Sequence, residues 1–197
     1  KPQDELLSDA REEDIVVPVM GTSGAGRSTF INSYLNKDVA QASDDLKSCT
    51  LALKPFPTPY PQDRRRRLVL VDTPGFNGTY HSDTEILQRM TKWLESSYGP
   101  RKTCGGIIYL HEITDISSIR GKTLNQIPEF QRLCGKKNLK SVVFATTKSE
   151  TLSLEALTKR NDNLRKTYLN SWMKEEARFF NLHDSPASAQ DLVNMVL

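Results

Sequence analysis

The segment from Gly21 to Ser28 has the residue types and spacing of a loop that binds phosphate groups. Its sequence, Gly-Thr-Ser-Gly-Ala-Gly-Arg-Ser, follows the pattern G-x-x-x-x-G-K-[S/T], except that Arg27 takes the place of the lysine. The glycines allow the backbone to curl so that its N–H groups converge on a phosphate, and a following helix adds its N-terminal dipole. The residues expected to contact a bound nucleotide here are Thr22, Ser23, Gly24, Ala25, Gly26, Arg27, Ser28 and Thr29.

Arg27 keeps the positive charge of the expected lysine but differs from it in shape. The lysine ammonium is compact enough to lie between two phosphates, whereas the guanidinium is planar, wider and forked. We therefore expect phosphate binding to survive this change better than phosphate transfer does. The Ser28 hydroxyl is an oxygen ligand of the kind that Mg²⁺ prefers, and we expect it to bind that ion.

A second motif, Asp72-Thr73-Pro74-Gly75, follows the apolar run Leu68–Val71. An aspartate at the end of a buried strand can hold Mg²⁺ through water, and the N–H of Gly75 can donate to a γ-phosphate. Thr50 ends the polar stretch between the two motifs, where a hydroxyl could bind both Mg²⁺ and the γ-phosphate. An ordinary threonine at the start of a strand is the alternative for Thr50.

A third motif, Thr147-Lys148-Ser149-Glu150, follows a further apolar run, at the place where GTPases read the base. Their pattern is [N/T]-K-x-D, in which the lysine lies over the purine and the aspartate accepts hydrogen bonds from guanine. Glu150 carries the same charge on a side chain one methylene longer, so its hold on guanine is expected to be less rigid. We expect GTP and GDP as ligands, and ATP and ADP remain alternatives.

Apolar runs alternate with helical patterns along the whole chain. This alternation predicts an α/β three-layer sandwich in which helices cover both faces of a mostly parallel, six-stranded sheet. The predicted strands are Ile15–Met20, Thr50–Phe56, Leu68–Val71, Gly105–Leu110, Ser141–Thr146 and Arg178–Leu182. The predicted helices are Ser28–Leu35, Thr84–Ser97, Thr123–Cys134, Leu154–Met173 and Ala187–Val196, and residues 1–13 are predicted to be a mobile arm or short helix before one domain, 14–197.

The motifs in this order resemble the G domain of the translation-factor-related class of GTPases, a Ras-like P-loop fold. Ser28–Asn32 and Asp72–Phe76 resemble the septin-like branch, which contains septins, chloroplast-import GTPases and GIMAP-type GTPases. Phrases such as Ser48–Thr50 and Arg132–Gly135 resemble a group of fungal G-domain proteins. The resemblance spans residues 14–197 and implies GTP with Mg²⁺ as ligands and homodimers that pair across the nucleotide.

The resemblance also raises the question of which group orients the attacking water. Phe76 stands where Ras-like enzymes have a glutamine, and an apolar side chain cannot polarise water. His111, after the run Gly105–Leu110, could contact phosphate or ribose or position water, and a simple hydrogen bond to a loop is equally compatible. Arg120 could stabilise the transition state, although a solvated loop arginine is the simpler interpretation. The resemblance further implies a backbone contact from His183 to the base.

Composition limits the classes of partner and the cellular compartment that we expect for this chain. The chain of 197 residues carries 27 Lys and Arg against 24 Asp and Glu, and this net charge of +3 is too small to indicate nucleic acid or an anionic membrane. No apolar run approaches the roughly 20 residues of a membrane helix. Three widely spaced cysteines indicate reduced thiols in a cytosolic or nuclear protein, and we expect a cytoplasmic one. The run Arg64–Arg67 is interpreted as a solvated turn, with a docking patch for phosphoinositide or an acidic partner as the alternative.

Three functions are compatible with these residues. The first is a Mg²⁺-dependent nucleoside triphosphatase and switch, in which loss of the γ-phosphate releases residues 36–50 and 74–82. The second is a module in which bound nucleotide holds dimers or filaments together with negligible turnover, and the third is a small-molecule kinase. The predicted catalytic residues of the first are Arg27, Thr50, Gly75 and His111, and its predicted metal ligands are Ser28, Thr50 and Asp72.

Overall fold

A six-stranded sheet forms the centre of the protein, with helices on both of its faces. The computed structural model describes residues 3–40, 51–76, 78, 81–115 and 125–197. The strands are β1 (Ile15–Gly21), β2 (Lys54–Pro59), β3 (Arg67–Asp72), β4 (Ile107–Glu112), β5 (Val142–Thr147) and β6 (Arg178–Asn181). The helices are α1 (Arg27–Leu35), α2 (Asp83–Tyr98), α3 (Ile127–Cys134), α4 (Leu154–Asn163), α5 (Asn170–Lys174) and α6 (Pro186–Val196). None of the helices in the described residues has the length and apolarity needed to span a bilayer.

The strand order is β2-β3-β1-β4-β5-β6, and every neighbouring pair is parallel except β2 with β3. This confirms the predicted mostly parallel six-stranded sheet. In such a sheet the carboxyl ends of the parallel strands lie at one edge, where ligands bind. The ends of β1, β3, β4 and β5 therefore bring the predicted motifs together.

β2 lies further along the chain than predicted and runs through a proline-rich segment. Its prolines, Pro55, Pro57 and Pro59, alternate along an edge strand that pairs antiparallel with β3. Backbone N–H groups of alternate residues point to the same side of a strand, so all three missing donors can face away from the sheet. The alternation makes the proline-rich segment compatible with an edge strand.

Two apolar cores lie on opposite faces of the sheet. One packs α1 and α6 against the sheet and contains Phe30, Ile31 and Leu192. The other contains the buried residues of α2 and α3 together with an aromatic cluster of Tyr109, Phe130, Phe144 and Trp172. Trp93 and Trp172 are both buried.

The long helix predicted over Leu154–Met173 is wrong as a continuous element. α4 is followed by a π-helical turn, Leu164–Tyr168, and then by the short α5. The N–H of Leu169 donates to the carbonyl of Leu164, a five-residue bond that widens the turn. The wider turn brings Leu164 and Leu169 nearer to one face, and both side chains are buried in the second core.

Residues of the N-terminal segment make specific contacts with the domain, and residues 3–13 form no helix. Asp14 accepts hydrogen bonds from Arg67 Nε (3.0 Å), Arg67 Nη2 (2.8 Å) and the Tyr98 hydroxyl (2.8 Å). Burial raises the pKa of Asp14, but these hydrogen bonds outweigh it and lower the pKa overall. Arg67 is therefore not part of a solvated turn, in contrast to our interpretation of Arg64–Arg67.

Candidate functional site

The glycine-rich loop connects β1 to α1 at the carboxyl edge of the sheet. Gly21 ends β1 with a φ of 146°, and a Cβ on this residue would lie 2.1 Å from the carbonyl oxygen of Leu110 in β4. Only glycine allows β4 to approach this closely and the chain to leave the strand in that direction. The chain therefore turns back directly after β1, and α1 begins at Arg27.

The N-terminus of α1 is suited to bind an anion. Gly26 is its N-cap with a φ of 88°, no side chain caps the helix among the described residues, and its first turn contains no acidic residue. The first N–H groups of a helix have no partner within the helix and carry a partial positive charge. Because no carboxylate or hydroxyl of the described residues caps this end, a phosphate group suits it.

Arg27 lies inside the loop, with only 7% of its surface exposed. Its Nη1 donates to the carbonyl oxygen of Gly21 at 2.8 Å. Its buried Nε has no acceptor within hydrogen-bonding distance among the described residues. Burial lowers the pKa of this guanidinium and the neighbouring Asp72 carboxylate opposes the shift. A buried cation with an unused donor fits a phosphate oxygen.

Ser28 and Asp72, two of the predicted metal ligands, are in direct contact. The Ser28 hydroxyl donates to Asp72 Oδ2 at 2.7 Å, and Asp72 is almost fully buried. The neighbouring Thr73 donates to the carbonyl of Val19 at 3.0 Å, which fixes the end of β3 beside β1. One hydroxyl and one carboxylate fit a Mg²⁺ ion that takes its other oxygens from phosphates and water. No group of three or more His, Cys, Asp or Glu that could hold a metal ion occurs in the described part of the chain.

The segment Gly75–Phe76 lies directly on the glycine-rich loop. The N–H of Phe76 donates to the carbonyl of Gly21 at 2.9 Å, and the N–H of Ser23 donates to the carbonyl of Phe76 at 3.1 Å. A Cβ on Gly75 would lie 2.3 Å from Ser23 Oγ and 3.1 Å from Arg27 Nη1. Gly75 therefore lies against both Ser23 and Arg27 of the loop.

The Phe76 side chain is fully buried, and its ring lies 5.7 Å from that of Tyr109. It points into the core that contains α2 and α3 rather than towards the loop. This side chain is therefore in no position to orient water.

A cavity of about 410 Å³ adjoins the loop. This volume is in the range of ligand pockets and suits a nucleoside. Its lining combines residues of the loop and α1 with residues that follow β5 and β6. The lining residues are Ala25, Gly26, Thr29, Phe30, Ser33, Thr147, Lys148, Glu150, Leu182, His183, Asp184 and Ala189.

Thr147 joins the motif Thr147–Glu150 to the loop. Its hydroxyl donates to the carbonyl of Ala25 at 2.9 Å, across 122 positions of sequence. Lys148 follows with a φ of 58°, a conformation that non-glycine residues rarely adopt and that is found at functional sites. Its Nζ pairs with Glu112 Oε2 at 3.1 Å. Glu112 was not predicted, although its position at the end of β4 is a signal that could have identified it.

His111 lies away from this cavity. Its ring is 5.8 Å from that of Phe144, on the sheet face that carries the aromatic cluster, and only 1% of its surface is exposed. Burial lowers its pKa to about 4, against the opposing charges of Asp115 and Glu112. The imidazole is therefore neutral at pH 7.

Three further predicted residues, Thr22, Thr50 and Arg120, remain to be placed. Thr22 is buried and forms an isolated bridge with Phe76. Thr50 and Arg120 lie outside the described residues. Asp184 also lines the cavity, although we predicted no chemical role for it, and its position after β6 at the ligand edge is the signal that could have identified it.

Comparisons with known proteins agree with this arrangement. The family model described as "50S ribosome-binding GTPase" matches residues 16–148. No curated protein matches the chain significantly.

Solved structures share the fold. Toc33 from Arabidopsis thaliana, in complex with Mg²⁺ and GMPPNP, aligns with a TM-score of 0.64 at 16% identity, over 93% of this chain and 83% of that chain. The bacterial selenocysteine-specific elongation factor EF-Sec aligns with a TM-score of 0.60 at 15% identity, over 92% of this chain but only 28% of its own. A further match concerns chloroplast translocon components, for which dimerization is important for GTPase activity (TM-score 0.63, 16% identity, 93% and 82% covered).

Proposed function

Since the chain belongs to the 50S ribosome-binding GTPase family, we propose that it binds GTP with Mg²⁺, hydrolyses it to GDP and phosphate, and acts as a nucleotide-dependent switch. The observation that carries this proposal is the hydrogen bond from Thr147 to the carbonyl of Ala25. It joins the phosphate-binding loop and the base-reading motif into the wall of one cavity. A nucleotide can then occupy the cavity with its base near Lys148 and its phosphates at the start of α1.

Individual residues have defined tasks in this proposal. The N–H groups at the start of α1 and the Arg27 guanidinium bind the phosphates, and the Gly75 N–H senses the γ-phosphate. Ser28, Asp72 and Thr50 would hold Mg²⁺, which neutralises phosphate charge when it is bound. The contact of Ser28 with Asp72 supports two of these assignments. Thr29, Gly24 and the backbone at His183 complete the nucleotide contacts that we propose.

Binding is tested by calorimetric titration of the protein with GDP and ADP. Glu150 lines the cavity, so its carboxylate is placed to accept hydrogen bonds from guanine. We expect tighter binding of GDP than of ADP, and loss of that preference in Glu150→Gln. Glu155→Gln, an exposed carboxylate in the first turn of α4, is the matched control. Equal dissociation constants for GDP and ADP would contradict a preference for guanine, and ATP would then be as good a candidate substrate as GTP.

The group that positions the attacking water is proposed to come from a second subunit. Phe76 is buried and His111 faces the opposite side of the sheet from the cavity. The dimerization that matters for GTPase activity in the translocon components supports pairing across the nucleotide. His111 retains a proposed role only if its neutral imidazole acts through the segment that follows β4. A rate of GTP hydrolysis per protomer that rises with protein concentration would support the dimer.

A module that binds nucleotide with negligible turnover is the second candidate. The observation in its favour is that Arg27 is fixed to the carbonyl of Gly21 and buried. Sedimentation with GDP and with GMPPNP, together with a phosphate-release assay with GTP, separates the two. Dimers with both GDP and GMPPNP, and no phosphate release from GTP, favour the module. We retain the septin-like branch and the cytoplasm as proposals, supported by the Asp72–Phe76 phrase and by two buried free thiols.

A further inference from the structure

Asp4, in the N-terminal segment, binds two separate parts of the domain. One carboxylate oxygen, Oδ1, accepts the N–H of Leu53 at 2.8 Å. Arg89 of α2 donates from Nε to the other oxygen, Oδ2, at 3.0 Å, and its Nη2 also contacts Oδ1. Nη2 additionally donates to the carbonyl of Leu51 at 3.2 Å. We call Asp4, Leu51, Leu53 and Arg89 the Asp4 clasp.

The neighbouring residue, Glu5, strengthens the same connection through its backbone. Its N–H donates to the carbonyl of Leu53 at 2.9 Å. Its carbonyl accepts the indole N–H of Trp93, one turn further along α2, at 2.7 Å. The N-terminal segment thus lies between residues 51–53 and α2 and is bonded to both.

The clasp extends to the start of α2. Arg89 Nη1 lies 3.2 Å from His81 Nε2, and His81 Nδ1 lies 3.1 Å from Glu85 Oε1. Because arginine can only donate, Nε2 accepts and Nδ1 carries the hydrogen that binds Glu85. His81 therefore links Arg89 to Glu85, in the first turn of α2.

The clasp is partly shielded from solvent. The side chains of Arg89 and Asp4 are 16% and 26% exposed. Leu53 is fully buried in the core that contains α2. Ion pairs with this degree of burial hold geometry better than exposed pairs, which contribute little.

Both proposed switch segments end at this cluster. Residues 36–50 end immediately before Leu51, and residues 74–82 end immediately before α2. Thr50, the proposed ligand of Mg²⁺ and the γ-phosphate, directly precedes Leu51. Fixing residues 51–53 in advance reduces the conformational entropy that these residues would otherwise lose when a triphosphate binds.

We propose that the N-terminal segment takes part in the nucleotide switch. Asp4 and Arg89 act as positioning residues, which prepare the segment ending at Thr50 for the γ-phosphate. They also couple that segment to the one that ends at α2. This inference rests on the proposed function. It assigns a role to a part of the chain that contributes no residue to the nucleotide cavity.

Asp4→Asn tests the inference because it keeps the shape of the side chain and removes the charge. The matched control is Asp9→Asn, which weakens a similar contact of the same segment, from Arg67 Nη1 to Asp9 Oδ2 at 2.7 Å, away from the switch segments. The full chain is titrated with GDP and with GMPPNP in the presence of Mg²⁺. Hydrogen exchange of residues 51–60 is followed in both complexes, and thermal melts report the fold.

Asp4→Asn should weaken GMPPNP binding at least about fivefold while leaving GDP binding unchanged, the size of an ordinary coupling between sites. Asp9→Asn should leave the ratio of the two dissociation constants at the parent value. In the parent, residues 51–60 should exchange more slowly with GMPPNP than with GDP, and Asp4→Asn should remove that difference. A parent that binds neither nucleotide contradicts the proposed function itself. A parent that binds both, with a ratio unchanged by Asp4→Asn, overturns this inference alone.

Discussion

Arg27 Nη1 donates a 2.8 Å hydrogen bond to the carbonyl oxygen of Gly21, so the cation of the phosphate-binding loop is fixed to the first residue of that loop. The same oxygen accepts the N–H of Phe76 at 2.9 Å. Gly21 therefore holds together the loop, its cation and the segment that would sense the γ-phosphate.

Removing the Arg27 charge should affect stability and ligand binding differently. In Arg27→Met, a buried guanidinium with an unused Nε is replaced by an apolar side chain. We expect the free energy of unfolding without nucleotide to stay within about 1 kcal/mol of the parent value or to rise. We expect GDP affinity to fall at least about tenfold, because a charge-assisted contact to phosphate is lost. Urea unfolding and calorimetric titration measure the two effects.

Arg67→Met is the control for that experiment. Arg67 pairs with Asp14, whose side chain is fully buried. Breaking a buried pair from one side leaves an uncompensated charge, which should cost about 3 kcal/mol of stability. If Arg27→Met were as destabilising as Arg67→Met, Arg27 would be a structural residue rather than a phosphate ligand.

Gly75→Ala should separate the Gly75–Phe76 segment from the loop. The new Cβ would lie 2.3 Å from Ser23 Oγ and 3.0 Å from Ser23 Cα, too close for any side chain. We expect a stability loss of about 1–3 kcal/mol from overpacking and at least tenfold slower GTP hydrolysis with little change in GDP affinity. Adding Ser23→Gly should restore part of the stability, since it removes the nearest atom. A Gly75→Ala variant with the parent rate of hydrolysis would exclude a γ-phosphate role for this glycine.

Asp72→Ala tests the metal site. Asp72 accepts the Ser28 hydroxyl at 2.7 Å and is the one carboxylate that we assign to Mg²⁺. We expect the parent to bind GMPPNP more tightly with Mg²⁺ than with a chelator, and the variant to bind it equally weakly in both. Asp63→Asn, in the turn between β2 and β3, should behave like the parent. Unchanged Mg²⁺ dependence in Asp72→Ala would mean that the metal site is misassigned.

The strands that carry the site were predictable because buried parallel strands are short apolar runs that end directly at the motifs. Val16–Val19 and Leu68–Val71 have no exposed face, so no other element competes with them. The predicted position of β2 was wrong because prolines, taken in isolation, indicate turns. Only the edge position of the strand explains Pro55, Pro57 and Pro59. The break after α4 depends on the burial of Leu164 and Leu169, which is a tertiary effect.

The residues of the site that belong to sequence motifs could be predicted, whereas the contacts between distant residues could not. Thr147 and Lys148 were identified from the pattern, but the contact of Thr147 with Ala25 spans 122 positions and has no local signal. The same is true of Asp4, whose partners Leu53 and Arg89 are distant in sequence. His111 was predicted from its place at a strand end, and only the packing on Phe144 reveals which face of the sheet it occupies.

His111 should make stability depend on pH. Burial lowers its pKa from 6.5 to about 4, so between these values the unfolded chain binds a proton that the folded chain does not. Stability should therefore fall as the pH decreases through this window, by up to about 1.4 kcal/mol per pH unit. Urea unfolding of the parent and of His111→Gln at several pH values measures the slope.

The difference between the two curves isolates His111. Asp14, whose pKa is lowered, contributes a loss at more acidic pH that both proteins share. We expect His111→Gln to show a flatter profile between pH 4 and 6.5 than the parent. Parallel profiles would show that the imidazole titrates normally and is accessible to water.

The most direct measurement is phosphate release in a single turnover, with GTP, Mg²⁺ and excess protein, for the parent and for Arg27→Lys. The account predicts slow but measurable release by the parent and a rate about tenfold higher in Arg27→Lys, because the ammonium fits between the phosphates better than the buried, forked guanidinium does. Both rates should disappear when Mg²⁺ is chelated. Release that is undetectable in both proteins, despite Mg²⁺-dependent GTP binding, would contradict the GTPase and leave a nucleotide-binding module.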